Sequence, residues 1–126
     1  MGIERSGTSF YAGDREVAVN AVYRFLDSSD ALIGYRDLSD SWFRAVPYET
    51  EWSVPPDLDK SSFAIESRVA CNDDTNLGVH QCRFIALYDQ YVADLSYRTR
   101  ELNLDEFQAL LLDMDRRFQE CLPTDQ

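Results

Sequence analysis

Three cysteines and a single histidine are the residues of this 126-residue chain best equipped for chemistry. Cys71 and Cys82 stand at the facing ends of two strand-like segments, on either side of the polar stretch 72–81. Opposite residues in an antiparallel pair have Cα atoms about 4.5–5.5 Å apart, a separation that suits a disulfide. The spacing predicts a Cys71–Cys82 cross-link in an oxidising compartment and two buried thiols in a reducing one. Cys121, on the apolar side of a C-terminal helical stretch, reads as a core thiol. Zinc needs more than Cys71, His80 and Cys82 supply, since a structural site takes four ligands and this spacing is not an established one. Asn72, Asp74 and Asn76 alternate like the opening ligands of a calcium loop. The turn glycine, Gly78, comes one place late, and Arg83 stands where the closing carboxylate belongs. No metal and no cofactor are expected.

Catalytic patterns are equally sparse. His80 has no Gly-x-Ser-x-Gly elbow and no second base near it in sequence. Asp113 and Asp115 lie two apart on a helix and point to different faces. No glycine-rich phosphate loop follows a strand-like run. No catalytic residue is assigned, and the reading leans away from an enzyme.

The charge balance is 12 basic against 23 acidic residues, a net charge of −11. Such a surface repels phosphates, which excludes direct binding of nucleic acid. The acids are scattered, with no run of five, so they serve solubility or form a folded acidic face. Such a face would suit an inhibitor of a basic partner or a mimic of nucleic acid. No stretch reaches the roughly 18 apolar residues of a membrane helix. Residues 1–8 lack the apolar core of a secretory signal. A natural start at Met1 implies a cytoplasmic protein; Met1-Gly2 in place of a removed signal implies an extracytoplasmic one.

Around these residues the chain must build a scaffold, and 44% apolar residues suffice for a core at this length. Residues 1–13 read as an extended or mobile lead-in to one domain, 14–126. Asp14 suits a helix N-cap, with Ala18, Ala21, Val22, Phe25 and Leu26 as an apolar stripe ended by Asp27-Ser28-Ser29-Asp30. Residues 31–35 read as a short helix or strand. Leu38, Trp42, Phe43 and Val46 have helical spacing, and Pro47 blocks continuation. An irregular segment follows to about Ser61. Phe63, Ile65, Val69 and Cys71 alternate as a half-buried strand, residues 82–88 as a central strand, and 91–99 as a third, with Asp94, Ser96 and Arg98 on its polar face. Asn103 and Glu106 form a capping box for a last helix carrying Phe107, Leu110, Leu111, Met114, Phe118, Cys121 and Leu122, stopped by Pro123. Asp113 is spaced to pair with Arg116 and Arg117.

The expected fold is α+β: an antiparallel sheet of three or more strands covered by an N-terminal and a C-terminal amphipathic helix. The expected function is a non-catalytic interaction or assembly domain with a protein partner, such as the soluble part of an exported or membrane-associated complex. A small enzyme with an Asp/Arg/Tyr pocket is the remaining alternative. Trp42, Phe43, Tyr48 and Trp52 are the candidate interface, because large rigid rings beside Pro47, Pro55 and Pro56 lose little entropy on docking.

Overall fold

The computed structural model describes residues 4–12, 15–56, 58 and 63–121. The chain order is β1 (Glu4–Ala12), β2 (Arg15–Arg24), α1 (Ser28–Trp42), β3 (Glu66–Asp74), β4 (Val79–Tyr88), β5 (Tyr91–Thr99) and α2 (Leu104–Cys121). The strands form one antiparallel sheet in the order β1-β2-β5-β4-β3. The fold is therefore α+β, with two strands added ahead of the expected meander.

The helix expected from Arg15 is instead strand β2. Val17, Ala18, Val19, Ala21, Val22 and Tyr23 are apolar toward both faces, so a helical stripe can be drawn through a strand that needs both. Three valines favour the extended form, and β1 and β5 pair with β2 on its two sides. Asp14 lies outside the described residues. The expected lead-in is also different, since Glu4 to Ala12 pair with β2 from Glu4↔Arg24 to Ala12↔Arg15.

The run Asp27-Ser28-Ser29-Asp30 starts a helix where it was expected to end one. The Asp27 carboxylate accepts a hydrogen bond from the Asp30 amide at 2.8 Å, so it is the N-cap of α1. Residues 31–42 then continue as one helix, placing Ser39 mid-helix and buried.

The polar stretch expected as a long loop is mostly strand. β3 runs to Asp74 and β4 starts at Val79, with Gly78 at φ 66 in the left-handed region. Polar side chains are tolerated there because residues 48–53 lie along the β3 edge. The Thr50 amide donates to the Asp73 carbonyl (2.9 Å), and Ser53 and Cys71 exchange backbone bonds of 2.9 and 2.8 Å. The β4–β5 turn has Asp89 at φ 53, a conformation that Asp tolerates better than most residues.

Two apolar clusters flank the sheet. One joins Val69, Phe84, Ala86, Leu95 and Tyr97 to Phe107, Leu111 and Met114 of α2. The other joins Ala70, Ile85, Leu87 and Val92 to Ala31 and Tyr35 of α1. Strand alternation sends these two sets to opposite faces. The cap of α2 is Asn103, whose side-chain oxygen accepts from the Glu106 amide at 3.0 Å. The Glu106 carboxylate meets the Tyr97 hydroxyl at 2.7 Å. Cys121 is exposed and free rather than a core thiol, because Met114 and Phe118 are the last stripe residues to reach the cluster. Leu122 and Pro123 lie outside the described residues.

Candidate binding face at helix α1

The face toward α1 departs from a simple core in three ways. First, a cavity of about 440 Å³ opens between the helix and the β2/β5 pair. Its floor is Tyr23 and Val92, which are register partners. Its helical wall is Gly34, Asp37, Leu38 and Ser41, spaced three and four apart on one side of α1. Phe25 closes one end, its amide bonded to the Gln90 carbonyl at 2.9 Å. A Cβ at residue 34 would lie 2.4 Å from the Phe25 ring, so only glycine lets that ring rest against the helix.

Second, Asp94 lies on this face beside Ala21 and Ile85 and is 3% exposed. The sequence pattern assigns it to a polar face, yet the fold buries it. One carboxylate oxygen, Oδ2, has no hydrogen-bond partner among the described residues. Burial pushes the carboxyl up to about 7, against the Ala21 backbone hydrogen bond, the charges of Arg5 and Arg83 and a hydrogen bond with the Tyr23 side chain. Arg5 in turn holds Tyr23, with Nε donating to the hydroxyl at 3.4 Å.

Third, two guanidinium groups sit among the aromatic side chains that sequence reasoning assigned to an interface. Arg83 lies 5.1 Å from the Trp42 ring and 4.9 Å from the Trp52 ring, and donates to the Trp42 carbonyl at 2.7 Å. Arg68 lies 4.5 Å over Phe43, which meets Trp52 edge-on at 5.4 Å. Burial lowers the Arg83 pKa, with Glu49 opposing the shift. Trp42, Phe43 and Trp52 are thus brought together, with Phe43 buried. Tyr48 is apart from them and 46% exposed, as Val46 and Val54 of the same segment also are to similar degrees.

The cysteine and acidic motifs resolve on β3 and β4. Cys71 and Cys82 are register partners with Cα atoms 4.0 Å apart and sulfurs at bonding distance. His80, set aside above as a zinc ligand, pairs with Asp73 through Nδ1. The calcium-like residues are engaged by the protein itself. Asp74 accepts from the amides of Asn76 and Leu77 at 2.9 Å, and Asn72 donates to the Thr50 carbonyl at 3.0 Å. Among the described residues, no group of three His, Cys, Asp or Glu side chains is placed to hold a metal ion. Asp113 bonds Arg116 at 2.7 Å and Arg117 at 3.0 Å, as its spacing predicts.

These features define a class: an α+β domain of one five-stranded antiparallel sheet and two helices, without a described helix long and apolar enough to cross a membrane. Its fold is similar to that of the extracellular domain of PknH from Mycobacterium tuberculosis, with a TM-score of 0.55 at 13% identity. The match covers 91% of this chain and 64% of that one, so this chain spans under two thirds of the neighbour's length. At that identity the likeness is one of fold. No protein-family model and no curated protein matches the sequence.

Proposed function

We propose that this chain is a non-catalytic domain that acts by binding a protein partner outside the cytoplasm, as part of an exported or membrane-associated assembly. The carrying observation is the Cys71/Cys82 pair, facing in register with sulfurs at bonding distance. A cross-link of this kind persists in oxidising compartments and is rare in the cytosol. The fold likeness to an extracellular domain agrees with that setting. The two helices serve as covers for the two faces of the sheet, leaving partner contact to the segment Trp42 to Pro56. Within it Trp42, Phe43 and Trp52 act as the rigid base, and Val46, Tyr48 and Val54 present the apolar contact area. Backbone bonds to β3 hold the segment in place, which lowers the entropy lost on docking.

Intact-mass measurement after alkylation without reductant, on protein from its native compartment, tests the setting. One modified cysteine, Cys121, is expected; three would contradict an oxidising home. Affinity capture from the native host with Tyr48→Ala and Trp52→Ala tests the contact. Tyr48→Ala should weaken capture with the melting curve unchanged, whereas undiminished capture by a folded Tyr48→Ala variant would remove the segment from the interface. Trp52→Ala should lower stability as well, since its ring supports Phe43 and Arg83.

A further inference from the structure

We infer that the cavity between α1 and the β2/β5 pair is a binding site for a small, uncharged apolar ligand, an alkyl or acyl chain with a neutral head group. This goes beyond partner binding and does not depend on it. The space is about 440 Å³, within the roughly 300–1,000 Å³ of small-molecule pockets. Its walls are built from Tyr23, Phe25, Leu38 and Val92, with Gly34 making room for the Phe25 ring on the helix side. The fold holds these walls firmly. Tyr23 and Val92 are paired within the sheet, and the Phe25 ring rests against Gly34. A pocket walled by paired strands and a helix is largely formed before its ligand arrives, so little ordering entropy opposes binding.

Charge decides which apolar molecules fit. Asp37 is the charged residue of the wall, and the chain as a whole carries −11. Arg5, the nearby cation, donates to the Tyr23 hydroxyl and remains charged, but it is not part of the cavity lining. A fatty-acid anion would set its head group beside the Asp37 carboxylate on a chain of net charge −11, whereas an alcohol or hydrocarbon of the same length meets no such penalty. Ser41 and Asp37 offer an exposed polar edge suited to a hydroxyl or amide head.

The full chain can be titrated with N-phenyl-1-naphthylamine, an uncharged apolar fluorophore, and the probe then displaced with dodecanol or dodecanoate. Saturable enhancement is expected, with dodecanol at least tenfold more effective as a competitor. Ser41→Trp, an exposed substitution at the cavity edge, should abolish enhancement while circular dichroism stays unchanged. Asp37→Lys, also exposed, should reverse the head-group preference, and it keeps the test decisive should Ser41→Trp disturb folding. Absence of saturable binding, enhancement undiminished in folded Ser41→Trp, or a preference for dodecanoate in the unsubstituted protein would each overturn the proposal.

Discussion

The two faces of the sheet spend their polar groups differently. On the α2 face the polar atoms brought inside are paired with one another. Tyr88 donates to the buried Asp115 at 2.6 Å, and Tyr97 to Glu106 at 2.7 Å. The aromatic side chains there stack, with Tyr88 and Phe118 at 4.2 Å and nearly parallel. On the α1 face, Asp94 Oδ2 and Trp52 Nε1 are buried without a partner among the described residues, and a cavity remains beside the helix. An unmade hydrogen bond costs about 1–3 kcal/mol, so the α1 face gives up stability that the α2 face retains. Among the described residues these unpaired groups lie on the α1 face, the face to which the proposals above assign binding.

The largest effect should come from the structural side. Leu111 is fully buried on α2, and Leu111→Ala should cost about 2–5 kcal/mol in urea melts. A cost near zero would place the core elsewhere and erase the contrast between faces. Next, replacing Cys71 and Cys82 together by serine should cost about 3 kcal/mol, the closure entropy of a loop of this length. Equal melting midpoints for the oxidised protein and this double variant would show that the pair contributes no constraint.

Asp94 sharpens the comparison through pH. Its folded-state value, about 7, lies above the ordinary 3.8, so the folded chain binds a proton that the unfolded chain has released between these limits. Its contribution to stability is full below pH 4 and is lost as pH rises toward 7. Asp94→Asn should therefore gain on the unsubstituted protein by roughly 2 kcal/mol between pH 5 and pH 8. The difference between the two proteins cancels the other acids. An unchanged difference at the two pH values would mean that Asp94 is solvated and the α1 face less dry than described. The smallest effect is expected on the solvent side of α2. Asp113→Ala removes two exposed ion pairs and should cost under about 1 kcal/mol.

The sequence made the scaffold around β4 and β5 more legible than the face under α1, for a physical reason. Residues 82–88 are apolar on both sides and 91–99 alternate, so local pattern names both strands and their antiparallel turn. Asn103 and Glu106 likewise mark the start of α2, because capping is a contact within one turn. Strand β2 failed for the opposite reason. Its Val and Ala residues satisfy either periodicity, and what decides between them is pairing with β5, 67 to 79 residues along. The same long-range pairing creates the candidate site. Tyr23 meets Val92, and Asp94 comes beside Ala21, only once β2 lies beside β5. Nothing local to Asp94 distinguishes it from Ser96 or Arg98 on the same strand side. Gly34 carried a readable signal, since a helix-interior glycine costs about 1 kcal/mol relative to alanine and invites a packing reason.

The claim that the α1 face is the binding side is tested most directly by backbone amide shifts in the full chain during titration with N-phenyl-1-naphthylamine. The account predicts perturbations confined to Tyr23, Phe25, Gly34, Leu38 and Val92 and their immediate neighbours, with Leu111 and Met114 unmoved. Shifts centred on Leu111 and Met114 would contradict it, as would a spectrum that does not respond.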